Sequence, residues 1–146
     1  VNYELVASLP GITEYLGTLS GAGTLDDAFE QVAAHEEALV APLLQFLAAH
    51  PDATIVGDPS PSSERRVPTV SFTVEGRAAS EIPPLLDERG IAVRFGHFYA
   101  YRLIRDLGLM ERGGVVRVSL VHYNTPDEVA RLVEGLAEVL GRVTAA

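Results

Sequence analysis

The sequence predicts an α+β fold, in which a small, mostly antiparallel sheet has helices packed on one face and is preceded by a helical connecting segment. The chain has 146 residues, about the length of one domain, and 47% of them are apolar, which is enough for a sizeable core. Segments with helical apolar spacing and segments with alternating apolar and polar residues follow one another along the chain. Their order is helix, helix, strand, strand, helix, strand, helix, strand, helix.

The first two segments have helical spacing. Residues 3–19 carry an apolar stripe that is interrupted at Pro10, where a fresh helix is expected to begin. This stripe has no obvious mate in the chain, so the segment is expected to be disordered or packed against another copy. Residues 25–50 form the strongest predicted helix, with a kink or a local break at Pro42.

Alternation of apolar and polar residues predicts four strands, at residues 54–56, 67–74, 91–94 and 114–120. In the second strand, Pro68 is expected to keep the start of the strand near a sheet edge, because proline cannot donate to a strand ladder. In the fourth strand, Val116 and Val118 share one face, which points Arg117 to the other.

Capping residues mark the remaining helices. Ser80 is expected to cap a short helix that ends at Arg89, and residues 98–107 are predicted to be helical. The final helix has Thr125 at its N-cap and Glu128 three residues later, a capping box.

Composition excludes several classes of function. The 20 acidic and 11 basic residues give a net charge of −9, which argues against binding to nucleic acid or to an anionic membrane surface. The chain has no cysteine, and its four histidines lack metal-ligand spacing, so we expect no metal site. Every basic residue is arginine, and the absence of lysine excludes a Schiff-base or P-loop lysine. The chain does not begin with a signal peptide, and a cytoplasmic protein is expected.

Spacing alone leaves the candidate functional residues open to structural interpretations. Arg117 lies in the middle of a strand and is either a solvated surface arginine or a guanidinium fork for a substrate carboxylate. His97 is either a general base or a turn histidine packed among aromatic residues. Tyr99 has the pattern of a residue at the edge of the core with a solvated hydroxyl.

Two strings resemble a known family. Residues 90–100, GIAVRFGHFYA, are similar to the GIAVRxGxxCA loop of cysteine desulfurases and related class V aminotransferases. Residues 117–129, RVSLVHYNTPDEV, are similar to the RxSxxxYNTxEEV segment of the same family. The strings occur in the family's order, and the resemblance covers nearly the whole chain.

The resemblance implies a piece of a fold type I pyridoxal-phosphate enzyme that acts on an amino acid. Residues 1–24 would be a connecting helix from a missing large domain, and residues 25–146 the small C-terminal domain. The cofactor would belong to the full-length parent protein, usually a homodimer, and would be absent from this chain. The chain alone would then contain no catalytic residue and would be inactive. The alternative is a stand-alone acidic binding or scaffold module that never meets pyridoxal phosphate.

Residue by residue, Arg117 matches the arginine of the family that binds the substrate's α-carboxylate. His97 and Arg94 match a mobile loop near the entrance of the active site, and with Tyr99 they complete the expected substrate-binding set. Tyr99 stands where desulfurases carry their nucleophilic cysteine. A phenol cannot replace a thiolate that accepts sulfur. The resemblance therefore indicates the cysteine-less relatives, which could be aminotransferases, lyases or epimerases.

Overall fold

The computed structural model describes residues 2–141, which form five α-helices, one 3₁₀ helix and four strands. The helices are α1 (Tyr3–Thr18), α2 (Leu25–Ala49), α3 (Ile82–Asp87), α4 (Tyr101–Asp106) and α5 (Pro126–Leu140). The 3₁₀ helix (Ala79–Glu81) directly precedes α3. The strands are β1 (Ala53–Val56), β2 (Thr69–Val74), β3 (Arg94–Gly96) and β4 (Val115–Ser119). The predicted α+β class and the order of the predicted elements are confirmed.

The four strands form one antiparallel sheet in the order β1-β2-β4-β3. One face of the sheet is the core face, where Phe72 of β2 and Val116 of β4 are completely buried. Leu43 and Leu47 of α2 and Leu136 of α5 belong to the same buried cluster. The helices therefore cover one face of the sheet, as predicted.

The opposite face of the sheet carries polar residues. Strand register places Val56, Ser71, Arg117 and Arg94 side by side in one row across all four strands. Because side chains alternate between the two faces of a strand, this row points away from the core residues Phe72 and Val116. The sheet thus presents two neighbouring arginines on the face that α2 and α5 do not cover.

Both long helices run through their prolines, contrary to the predicted interruptions. Pro10 lies inside α1 and Pro42 inside α2. Each proline removes one donor to the carbonyl four residues earlier, that of Val6 or Ala38. Both of those residues are exposed, so water can satisfy the carbonyls and the helices continue. The first segment was expected to be disordered or packed against another copy; disorder is wrong, because the segment is a helix, although none of its residues is buried.

Core packing accounts for the apolar character of α2. By length and composition alone this helix could cross a membrane. Six of its residues are buried inside the protein, and most of them lie in the half that contacts the sheet. A core helix of this kind satisfies the same criterion of length and composition.

Two strand predictions are wrong in detail. Strand β2 lies between β1 and β4, not at an edge. Pro68 precedes its first residue, is buried, and accepts a hydrogen bond from the Leu120 N–H through its carbonyl. Strand β3 begins at Arg94, three residues later than predicted, because Val93 is buried in the core and does not pair with β4.

Two helix predictions also need correction. The segment predicted to be capped by Ser80 begins as the 3₁₀ helix, and Glu81 bonds the backbone N–H of Ala78 in place of a serine cap. The helix expected over residues 98–107 starts only at Tyr101.

Candidate functional site

Arg117 is the central residue of the uncovered sheet face. It lies in β4 opposite Ser71 of β2 and is half-buried. Its Nε is buried and has no hydrogen-bond partner among residues 2–141. A buried donor without a partner is costly, on the order of 1–3 kcal/mol. The sequence period predicted the face on which Arg117 lies, and its burial distinguishes it from a solvated surface arginine.

Arg94 lies directly opposite Arg117 on the neighbouring strand β3. Like charges in this position destabilise a sheet unless an anion compensates them. The ion pairs in the described part of the chain involve other arginines, namely Arg65, Arg89, Arg105 and Arg112. The row therefore presents positive charge toward the uncovered face, where a carboxylate could bind in bidentate fashion.

A strained turn follows β3 at residues 97–100. The N–H of Ala100 donates to the carbonyl of His97 at 2.7 Å, and both central residues have positive φ, 49° at Phe98 and 63° at Tyr99. This sign pattern is that of a type I′ turn, which favours glycine and asparagine. Each non-glycine residue in this region costs about 1–2 kcal/mol. The turn explains why α4 begins later than predicted.

His97 and Tyr99 take different positions in this turn. Nδ1 of His97 accepts the backbone N–H of Tyr99 at 3.1 Å, and the histidine ring stands edge-on to Tyr101 with the centroids 5.9 Å apart. The side chain of Tyr99 is fully exposed. His97 thus holds the turn in place, and Tyr99 is not the residue at the edge of the core that its pattern suggested.

Phe98 links the turn to the arginine row. Its ring lies under the guanidinium of Arg117, with Cζ 3.9 Å from the ring centroid. This cation–π contact brings the segment of Arg94, His97 and Tyr99 next to Arg117. Sequence reasoning did not single out Phe98, because a phenylalanine in a left-handed turn has no propensity signal.

The loop between β4 and α5 is organised by capping. The Glu128 carboxylate accepts the backbone N–H of Thr125 at 2.8 Å and the side-chain amide of Asn124 at 3.1 Å. These bonds hold the pKa of Glu128 below its usual value, the Thr125 N–H having the largest effect. The predicted capping box is confirmed.

A histidine in the same loop contacts α1. The Tyr15 hydroxyl lies 2.7 Å from Nε2 of His122, and this hydrogen bond connects the first helix to the loop before α5. In the region that the structure describes, no group of three or more acidic, histidine or cysteine side chains could hold a metal ion.

The chain is similar in sequence to several known proteins. The sequence profile of the family Aminotransferase class-V matches residues 10–132. The chain is 36% identical over 140 residues to the aminotransferase-like protein FGM3 of Gibberella zeae, covering 95% of this chain and 34% of that protein. It is 38% identical over 135 residues to the probable cysteine desulfurase 2 of Mycobacterium leprae, covering 92% and 31% of the two proteins.

Solved structures show the same similarity. A cysteine desulfurase from Thermococcus onnurineus NA1 aligns with a TM-score of 0.66 and 27% identity, over 75% of this chain and 26% of that one. The cysteine desulfurase CsdA from Escherichia coli aligns with a TM-score of 0.64 and 26% identity, over 82% and 30%. The chain spans about a third of the length of the curated relatives it matches.

Proposed function

The chain belongs to the class V aminotransferase family, and we propose that it forms the small C-terminal domain of an enzyme that acts on an amino acid with pyridoxal phosphate as its cofactor. In this proposal Arg117 binds the α-carboxylate of the substrate. Arg94, His97 and Tyr99 line the same side of the site. The remainder of the parent protein supplies the large domain and the catalytic residues.

The observation that carries the proposal is the state of the Arg117 guanidinium. It is half-buried on a sheet face that α2 and α5 leave uncovered, and its buried Nε has no partner within residues 2–141. A carboxylate bound to the outer nitrogens of this guanidinium would accept charge-assisted hydrogen bonds and compensate the like charge of Arg94, while the buried Nε stays out of its reach. An arginine with only a structural role would be expected to have a carboxylate or carbonyl partner within the fold.

The cofactor cannot be held covalently by this chain. Pyridoxal-phosphate enzymes attach the cofactor through a lysine, where it acts as an electron sink. The present sequence has no lysine. The residues of this chain therefore do not fit the cofactor on their own, and the proposal assigns its attachment to the large domain. Dimerisation is likewise proposed for the parent protein.

Tyr99 limits the class of reaction. It is exposed in the turn that follows β3, at the position where the family loop motif has cysteine. A phenol has no thiolate to accept sulfur from a substrate. We therefore infer that the parent protein transfers amino groups, eliminates or epimerises, and does not mobilise sulfur.

The test is to express the full-length parent protein and assay it against a panel of amino acids and keto acids with added pyridoxal phosphate. The expected result is turnover of at least one amino acid and no formation of alanine from cysteine, because alanine is the product left when an enzyme thiolate takes up the sulfur. The 146-residue chain alone is the matched control and is expected to show no turnover. A parent protein without a lysine-bearing second domain, or rapid formation of alanine from cysteine, would contradict the proposal.

A further inference from the structure

We propose that Phe98 is a positioning residue for Arg117: its ring fixes the plane of the guanidinium, so that the outer nitrogens are presented to a carboxylate. This inference rests on the proposed carboxylate-binding role of Arg117. It assigns to Phe98 no contact with the substrate.

The guanidinium of Arg117 is in direct contact with the ring of Phe98. Cζ of Arg117 lies 3.9 Å from the centroid of the Phe98 ring, well inside the range of a cation–π interaction. Bidentate recognition of a carboxylate depends on the orientation of the guanidinium plane as well as on its charge. An aromatic ring in contact with the guanidinium restricts the orientation of this plane, and we expect the outer nitrogens to stay available.

The guanidinium of Arg117 has no polar restraint among the residues that the structure describes. Within residues 2–141, no side-chain hydrogen bond or ion pair holds the Arg117 guanidinium, and its Nε is buried without a partner. Arg94, which lies opposite Arg117 on β3, carries the same charge and therefore cannot attract the Arg117 guanidinium into a fixed orientation. The ring of Phe98 is therefore the contact in the described region that sets the orientation of the guanidinium.

A strained backbone turn holds the ring of Phe98 in this position. Phe98 and Tyr99 both have positive φ in a turn that glycine or asparagine would occupy without strain. Non-glycine residues keep such a conformation only where the surroundings enforce it, and such positions cluster at functional sites. Here the bonds of Ala100 and Tyr99 to His97 close the turn and direct the ring of Phe98 beneath Arg117.

Nitrogen-15 NMR of the Arg117 side chain in the 146-residue chain tests the contact without a substrate. A proton held over an aromatic face is shifted upfield, so the Arg117 Hε resonance, assigned by its loss in Arg117→Lys, is expected upfield in the wild type. Phe98→Leu is expected to abolish the upfield shift, and Phe98→Tyr to retain it. Phe95→Leu is the matched control, because Phe95 pairs with Val116 and lies on the opposite sheet face.

Acetate is a probe for the affinity of Arg117 for a carboxylate. Titration of acetate, followed at the same Arg117 resonance, is expected to show a Kd about two- to fivefold weaker in Phe98→Leu than in the wild type. Phe98→Tyr and Phe95→Leu are expected to bind acetate like the wild type. An unchanged Hε resonance and an unchanged acetate Kd in Phe98→Leu would overturn the inference.

Kinetics of the parent protein separate this inference from the proposed function. For the amino acid with the fastest turnover, Phe98→Leu is expected to raise KM by about two- to fivefold with little change in kcat, and Phe98→Tyr to restore KM. If Arg117→Ala raises KM and Phe98→Leu does not, the positioning role is wrong and the proposed function stands. If neither variant changes KM, the proposed function of Arg117 is wrong.

Discussion

Arg94 and Arg117 are neighbours on the uncovered sheet face, and their surroundings differ from those of the ion-paired arginines. Arg65, Arg89, Arg105 and Arg112 each pair with a carboxylate. Arg94 and Arg117 form no ion pair among the residues that the structure describes, and they lie opposite each other on adjacent strands. This contrast within one acidic chain is the residue-level basis for an anion site, because carboxylates are abundant but none of those in residues 2–141 forms an ion pair with this row.

Tyr99 has a strained backbone conformation in the turn after β3. Its side chain is fully exposed and its φ is 63°. Tyr99→Gly relieves about 1–2 kcal/mol of strain and loses about 0.5–1 kcal/mol through the greater freedom of the unfolded chain. We expect a net stabilisation of about 0.5–1 kcal/mol, measured by urea denaturation. Tyr99→Ala keeps the strain and is expected to stay within about 0.5 kcal/mol of the wild type; equal effects of both variants would contradict this account.

Gly114, just before β4, is needed for a close approach of two backbones. Its φ is 89°, and a Cβ built there would overlap the carbonyl of Gly96. Gly114→Ala is expected to destabilise the chain by about 2 kcal/mol or more, because it adds an overlap to the strain of positive φ. Gly113→Ala is the matched control: its φ is 76° with open space around it, so only strain of about 1–2 kcal/mol is expected. Equal losses in denaturation midpoint would contradict the overlap.

The orientation of Arg117 could be predicted from the sequence, but its environment could not. A period of two residues fixes which face of a strand a side chain occupies, and Val116 and Val118 placed Arg117 correctly. The ring beneath it comes from a turn whose central residues are aromatic, and local propensity favours glycine at those positions. The ring's location is set by tertiary packing, for which the sequence alone gave no pattern.

Among the elements, α5 has the clearest local specification. Thr125 caps it and Glu128 completes the capping box. Thr125→Ala removes one of the two reciprocal hydrogen bonds and is expected to cost about 1 kcal/mol of unfolding free energy, measured by chemical denaturation. A loss below about 0.3 kcal/mol would show that the box contributes little.

The same cap gives a pH dependence with a defined sign. The pKa of Glu128 lies below its usual 4.5 in the folded chain because the carboxylate accepts the Thr125 N–H. The resulting stabilisation is fully present above about pH 4.5 and is lost as the pH falls through the lowered pKa. Glu128→Gln should therefore be less stable than the wild type near neutral pH, and the gap should narrow below about pH 4.5. The measurement is unfolding free energy against pH; a gap that does not change with pH would contradict it.

Prediction of the elements failed where the outcome depends on solvent or on neighbours. Pro10 and Pro42 were expected to interrupt their helices, but the carbonyls that lose donors belong to exposed residues. Strand β3 was expected at residues 91–94, where the apolar run lies, but Val93 packs in the core and pairing starts at Arg94. In both cases the burial or exposure of particular residues, which the local pattern does not show, decided the outcome.

At the scale of the whole molecule, α1 exposes an unusual amount of apolar surface. None of its residues is buried, and large apolar side chains on it are more than half exposed, namely Tyr3, Leu5, Val6, Leu9 and Ile12. An exposed apolar patch of this kind is typical of a site where another protein or domain binds. The chain spans about a third of the length of its relatives. In the proposed parent protein, the large domain would be the partner that covers this apolar surface.

A charge placed on this stripe tests that arrangement. Ile12→Asp is expected to change the unfolding free energy of the 146-residue chain by less than about 0.5 kcal/mol, because Ile12 is half-exposed there. In the parent protein the same variant is expected to cost about 2 kcal/mol or more, because the aspartate would be buried. Ala7→Asp lies on the opposite face of α1 by helical spacing and should be mild in both. Equally mild effects of Ile12→Asp in both proteins would show that nothing covers the stripe.

The central claim is that this domain supplies the carboxylate-binding arginine, and steady-state kinetics of Arg117 variants in the parent protein test it most directly. Arg117→Ala is expected to lower kcat/KM by about 30- to 1,000-fold, mainly through KM, since a charged bidentate contact contributes roughly 2–4 kcal/mol. Arg117→Lys should restore only part of this loss, because a point charge cannot reproduce the guanidinium fork. A change of less than about twofold in Arg117→Ala, with the fold intact, would contradict the claim and make Arg117 an ordinary residue of the sheet surface.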